Sequence, residues 1–376
     1  MSDISEQLGR IGVSEEQAEL MTVATNFCRE KSPIDRVRAL IDDERGYEEA
    51  LWREIADLGW LGIAIPEAHD GVGLGMAEVV PVVEQMGRNL MATPFLVSTL
   101  AAQAILTAGS AEQQAKWLPK LATGEVIGTV ALGEPDTGLT ALGQSEQGGM
   151  MLSGRMTLIE HAMSADVIVA VVGSDAKAQL VLVETAKLPD GALRREGIID
   201  DTRRAYELTL KSFEVPAAGV LPGDASAALA HLELAGALLM SAEMMGGAFR
   251  VIDYTADYLR TRKQFGKLIG SYQALKHPLV DAFVNYEKAR SHLYAAAHSF
   301  DDQGHNDRRG EVAVRMAKAQ AETAYSYAAD RGIQFHGGFG FTYDCDAGLH
   351  RRRAIWAASR FGDARAQKKR LAELLF

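Results

Sequence analysis

From Asp224 to the C-terminus, apolar residues recur at helical spacing over segments of about thirty residues, at about Ser226–Thr261, Tyr272–Asp302 and Arg308–Phe335. Such helices exceed the usual range of roughly 8–20 residues. Their apolar stripes are too long for a small neighbour to cover, so they must pack on one another in a bundle or across a subunit boundary. The pair Gly337–Gly338 breaks the third segment, and helical spacing resumes toward Phe376.

The rest of the chain has a different texture. From Ser14 to about Thr123 the pattern is also helical, as in Leu51, Ile55 and Leu58 or Val79, Val80, Val83 and Met86. Between them, β-branched runs at Val126–Leu132, Met150–Ile159, Val167–Val172, Leu180–Val183 and Leu208–Val215 are separated by turn residues, with no gap long enough for a helical crossover. That predicts a small antiparallel sheet. The expected organisation is mainly α with a central β-domain: helices over 1–123, sheet over 124–222 and a helical bundle with oligomerisation surfaces over 223–376.

The 39 basic and 50 acidic side chains leave a formal charge of −11, which repels nucleic acid and anionic lipid. Two cysteines, Cys28 and Cys345, supply neither a disulfide framework nor a zinc cluster. The start of the chain lacks the basic-then-apolar pattern of a signal peptide, and no run of about 18 apolar residues occurs. A cytoplasmic protein with no membrane or nucleic-acid partner is expected.

Several motifs have ordinary explanations. Gly71-Val72-Gly73-Leu74-Gly75 follows a polar loop where a dinucleotide site needs a strand, and reads as a glycine turn. His336-Gly337-Gly338 is similar to an esterase oxyanion loop, but no Gly-x-Ser-x-Gly nucleophile elbow accompanies it. Asp344 and Asp346 suit a helix start better than a metal, and His350–Arg353 reads as a solvated or inter-subunit face. Arg262-Lys263-Gln264-Phe265-Gly266 ends a long helix, where the basic residues complement the helix dipole and Gly266 suits the C′ position. Gln264-Phe265 has no such explanation. Nor has Gln334-Phe335-His336-Gly337-Gly338-Phe339-Gly340-Phe341, whose glycines let backbone approach a ligand closely. Together these segments offer a guanidinium for pyrophosphate, a flat ring for stacking and closely packed amides.

TRKQFG at 261–266, QALKH at 273–277 and QFHGGFGFT at 334–342 together resemble the acyl-CoA dehydrogenase family, as do LGWLGIAIPEAHDGVGLG at 58–75 and KWLPKLATGE at 116–125. The resemblance implies an N-terminal helical domain, a middle antiparallel β-domain and a C-terminal four-helix bundle forming dimers or dimers of dimers. It also implies FAD and an acyl-CoA substrate, with electron-transfer flavoprotein as an acceptor. Carried over, Arg262, Gln264 and Phe265 meet the pyrophosphate and adenosine end of a partner subunit's FAD, and so do Gln334, Gly337 and Gly338.

Dehydrogenation of a saturated acyl thioester needs a base for the α-proton and a flavin to take the β-hydride. The resemblance puts the base at either of two positions, where this chain has Phe361 and Gly236. Glu233 and Glu243 lie one and two helical turns from Gly236 as displaced candidates. The turn that borders the flavin ring in relatives keeps Glu134, Pro135 and Gly138, with Gly133, Leu139 and Thr140 in place of Thr, Ser and Asp. A Trp-Ile-Thr segment is replaced by Leu158-Ile159-Glu160, which lacks the indole wall and adds an anion. The losses cluster on the base and the ring-facing half of this chain's own site. That pattern is similar to the shorter, base-lacking subunit of heteromeric bacterial acyl-CoA dehydrogenases, including those acting on sterol side chains. Three readings follow: an accessory subunit completing a related subunit's FAD site, a self-sufficient homo-oligomeric enzyme with a displaced base, and a non-catalytic acyl-CoA-binding or scaffold protein.

Overall fold

The computed structural model describes residues 13–133, 137–144, 148–174, 178–300 and 307–376. Helix α1 (Glu15–Lys31) starts at a capping box: Ser14 Oγ accepts from the Gln17 N–H and Gln17 Oε1 accepts from the Ser14 N–H, both at 3.1 Å. Five more helices follow: α2 (Ile34–Ala39), α3 (Glu49–Asp57), α4 (Met76–Arg88), α5 (Phe95–Ala108) and α6 (Ala111–Ala122). The polar stretch after α3 is a compact turn, in which a Cβ on Gly71 would overlap the Ile65 carbonyl.

The sheet contains β1 (Gly128–Ala131), β2 (Gly138–Gln144), β3 (Met150–Glu160), β4 (Val167–Val172), β5 (Gln179–Glu184), β6 (Leu193–Glu196) and β7 (Ala205–Val215), in the order β1-β4-β2-β3-β7-β6 with β5 beside β4. Most neighbours are antiparallel, but β1 runs parallel to β4, with Gly128 opposite Val167, and β2 meets β4 in parallel at Leu139–Val172. The expectation of a wholly antiparallel sheet is corrected here. The crossover that a parallel pair requires is made by the β2–β3 hairpin itself, so no helix-length gap marks it. Strand β4, covered on both edges and faces, is buried throughout, which is why VIVAVV shows no alternation. Strand β2 is glycine-rich and mostly exposed, and β6 is only four residues long, so neither has an apolar signature.

The C-terminal half is helical: α7 (Ala225–Thr261), α8 (Gln273–Ser299), α9 (Arg308–His336), α10 (Asp346–Ser359) and α11 (Ala364–Leu375). Asp224, Asp307 and Asp363 cap α7, α9 and α11 through their carboxylates. Helix α7 is the axle of the molecule, packed on α4, α5, α8, α9 and α10. It is long and apolar enough to cross a membrane by length and composition alone, but 72% of its most apolar window is buried in the protein, as befits a core helix. A Cβ on Gly246 would overlap the Glu84 carbonyl of α4, and one on Gly87 that of Glu243, so α4 and α7 cross backbone to backbone.

Candidate functional site

Two regions carry the residues singled out from the sequence. The first begins where α7 ends at Arg262. The chain does not leave the helix through a glycine C′ residue, as the sequence suggested. Lys263–Gln264 pairs antiparallel with Lys267–Leu268, and Phe265-Gly266 forms the two-residue turn between them, with φ of 53° and 76°. Positive φ at both positions is the type I′ geometry that closes a tight hairpin, so Gly266 serves the turn. Phe265 pays for left-handed backbone and yet is 89% exposed, with Tyr272 edge-on at 6.5 Å.

The second segment ends α9. Gly337 takes φ 60°, ψ −137°, a conformation open essentially only to glycine, and its N–H donates to the Gln334 carbonyl. A Cβ on Gly337 or Gly338 would meet nothing within 4 Å, so both backbones face open space, and Gln334 is exposed beside them. His336 joins the two segments. Its ring stacks on Tyr258 at 4.3 Å and Tyr254 at 4.7 Å, and Tyr254, Tyr258 and Arg262 follow one another at four-residue intervals along one face of α7. His336 Nδ1 lies 2.7 Å from the Gly332 carbonyl and must donate to it, leaving Nε2 a buried acceptor with no hydrogen-bond partner among the described residues.

The region around residues 158–160 and 360–362 is closed by packing within the chain. Leu158, with φ 56°, donates its N–H to Glu196 at 2.7 Å, and its carbonyl accepts from Arg360 Nη2 at 3.3 Å. Glu160 is buried, 3.5 Å from Arg203 and 3.8 Å from Arg360. A flat ring seated on Leu158–Glu160 would have to displace Arg360. Next to it, Phe361 has φ 54° and turns its ring onto α7, where a Cβ on Gly236 would overlap the ring atoms. The turn is pinned by Lys318, whose Nζ donates to the carbonyls of Ala358 at 3.2 Å and Gly362 at 2.9 Å, and by Gln367, which donates to Phe361 O at 2.7 Å. Burial lowers the Lys318 pKa to about 8. Of the ring-bordering turn, Glu134 and Pro135 lie outside the described residues; Leu139 is buried, and Thr140 donates to the Ser153 carbonyl.

Neither displaced carboxylate is placed as a base. Glu233 is half-exposed and ion-paired to Arg315 at 2.9 Å. Glu243 is buried between Arg203 at 2.5 Å and Arg353 at 2.6 Å; burial raises its pKa, but the two guanidiniums outweigh that and hold it below the ordinary carboxylate value. Arg353 also binds Asp200 and Thr202, and Arg352 binds Asp201 at 2.7 Å. This cluster corrects the reading of His350–Arg353 as a solvated face: His350 and Arg353 are buried and only the intervening arginines reach the rim. Asp346 does not cap α10 either. It lies in the first turn and pairs with Arg38 at 2.8 Å, while Cys345 holds the cap position without a side-chain capping bond.

An N-terminal helical layer, a curled sheet and a bundle around one long axial helix define the acyl-CoA dehydrogenase type of fold. The sequence pattern described as "Acyl-CoA dehydrogenase, N-terminal domain" matches residues 14–125, and "Acyl-CoA dehydrogenase, C-terminal domain" matches residues 229–373. "Acyl-CoA dehydrogenase IpdE2" of Mycobacterium tuberculosis is 31% identical over 93% of this chain and 94% of its own length. Among solved structures, the ChsE4-ChsE5 complex from Mycobacterium tuberculosis contains a chain that is 27% identical, with a TM-score of 0.86 over 97% of this chain and 98% of that one. The Tcur3481-Tcur3483 steroid ACAD is 29% identical, with a TM-score of 0.84 over 96% and 98%. This chain belongs to the acyl-CoA dehydrogenase family, whose cofactor is FAD.

Proposed function

We propose that this chain is the accessory subunit of an FAD-dependent acyl-CoA dehydrogenase and completes the FAD site of a related, base-bearing subunit. The observation that carries the reading is the contact between Phe361 and Gly236, in which both family positions for the base are filled by one apolar packing interaction. Neither a phenyl ring nor a glycine accepts a proton, and Glu233 and Glu243 are committed to arginines. The ring-facing half-site does not fit a flavin, because Arg360 and the buried Glu160 occupy it.

The other face does fit the adenosine end of a partner's FAD. Arg262 would hold the pyrophosphate by charge-assisted hydrogen bonds, Phe265 would stack, and Gln264, Gln334 and the amides at Gly337 and Gly338 would complete the cradle. Bound in the complex, FAD supplies the hydride acceptor for α,β-dehydrogenation of an acyl-CoA. One similar structure is named as the ChsE4-ChsE5 complex and another as the Tcur3481-Tcur3483 steroid ACAD, which supports a heteromer and a bulky acyl group. The same reading divides the chain at 1–123, 124–222 and 223–376, places it in the cytoplasm, and hands the electrons of the complex to an electron-transfer flavoprotein.

The test is the visible spectrum of the protein purified alone and then with a related longer subunit. A colourless protein alone and a yellow complex that acyl-CoA bleaches are expected. Tightly bound flavin bleached by acyl-CoA in this chain alone would sink the proposal and favour a self-sufficient enzyme.

A further inference from the structure

Between the N-terminal helices and the C-terminal bundle lies a cleft of about 450 Å³. Arg29 of α1, Arg88 at the end of α4 and Arg250 of α7 line it, and among the described residues none holds a carboxylate closer than 4.0 Å. Arg29 donates to Asn26 Oδ1 at 3.0 Å; Arg88 has the Phe249 ring 4.4 Å from its Cζ and no ion pair among the described residues; Arg250 reaches Asp253 only at 4.0 Å. Elsewhere the buried arginines are treated differently. Arg203, Arg290, Arg315 and Arg353 each hold a carboxylate at 3.0 Å or less, and Arg204 is bound by backbone carbonyls, among them those of Leu40 and Asp43.

The remaining acid on the cleft wall, Asp346, is already neutralised by Arg38, and His350 is held neutral, its pKa pushed down to about 3 by burial and by Arg250 and Arg353. Three guanidiniums therefore face Asp253 alone, an excess of two positive charges in a chain whose formal charge is −11. A second, independent feature sits in the same cleft. Gln85 is 4% exposed, its Nε2 has only the Met21 sulfur at 2.9 Å, and its Oε1 has no hydrogen-bond partner among the described residues. Buried amide oxygens are rarely left so, because the lost hydration is not recovered.

We propose that this cleft binds a small organic phosphate, its head on Arg29, Arg88 and Arg250 and its body beside Gln85. A phosphate monoester carries about −1.5 to −2 charges at neutral pH, which matches the excess, and its oxygens suit guanidinium forks. The volume is that of a small-ligand pocket, with Pro33 and Ile34 as its apolar wall. The inference does not rest on the subunit role proposed above.

Calorimetric titration of the full-length protein with AMP and with inorganic phosphate tests it. AMP is expected to bind at least tenfold tighter than phosphate, Arg88→Met to weaken AMP about tenfold or more, and Arg262→Ala to leave it unchanged. Arg250→Gln, at a side chain 40% exposed, should also weaken binding severalfold and keeps the test alive if Arg88→Met fails to fold. No AMP binding at millimolar concentration, equal affinity for the two probes, or binding lost with Arg262→Ala but kept with Arg88→Met and Arg250→Gln would each overturn the proposal.

Discussion

The turn at 360–362 and the hairpin at 262–268 are built on opposite principles. Both contain a phenylalanine with left-handed backbone followed by a glycine, Phe361-Gly362 and Phe265-Gly266. At the first, Lys318 and Gln367 bind the turn's carbonyls and the ring is received by Gly236, so packing within the chain compensates the strain. At the second, the ring stands in solvent, with Tyr272 edge-on at 6.5 Å as its aromatic neighbour among the described residues. A strained, exposed aromatic that the subunit itself does not use is what a surface for another molecule looks like, whereas a strained, packed one has closed its site.

The largest way to break this contrast is in the closed region. Arg353→Met would leave Asp200 and Glu243 as buried carboxylates short of a counter-charge, with an expected loss of about 3–5 kcal/mol by chemical denaturation. Acid should act in the same direction. Asp200 and Glu243 are both desolvated, yet Arg353 and Arg203 hold their pKa values below the ordinary 3.8 and 4.5. Their contribution is therefore complete above those values and is lost as pH falls below about 4 through the folded-state pKa values. Urea melts at pH 7, 5 and 3 would show it; a variant whose stability equals the parent's at pH 7 would contradict the cluster's role.

Arg262→Ala tests the open region at intermediate magnitude. Loss of a guanidinium–phosphate contact of about 1.5–3 kcal/mol should raise the flavin dissociation constant of the complex roughly 10- to 150-fold while the fold's melting temperature stays put. Equilibrium dialysis of the yellow complex measures it, and unchanged retention would remove Arg262 from the pyrophosphate. The smallest effect sharpens the comparison most. Phe265→Asn places a residue that tolerates positive φ in the turn and should raise stability by a few tenths to about 1 kcal/mol, while weakening flavin binding through lost stacking. Stability and binding moving together would mean that Phe265 packs within its own subunit after all.

Helix limits were legible because their signals are local. The expected segments at Ser226–Thr261 and Arg308–Phe335 differ from α7 and α9 by a single residue at one end of each. The family motifs were legible for the same reason, each being contiguous. What could not be read was which charges face inward. The run His350–Arg353 looks like a solvated face until Asp200 is brought against Arg353 from 153 residues away in the chain. The sequence does carry Asp200-Asp201 and Arg352-Arg353, two like-charged pairs of opposite sign, but nothing local matches one to the other.

The helical periodicities and the family, as properties of neighbouring residues along one backbone, were readable along the chain alone, whereas the carboxylate caps at Asp224, Asp307 and Asp363 were seen only in the structure. Tertiary structure decided the parallel β1–β4 pairing, the hairpin that replaced a helix C-cap at Gly266, the seating of Phe361 on Gly236, and the burial of Glu243 among arginines. Each of these joins segments distant in the chain, and which of many compatible partners meet is set only when the apolar faces of the whole molecule are buried at once.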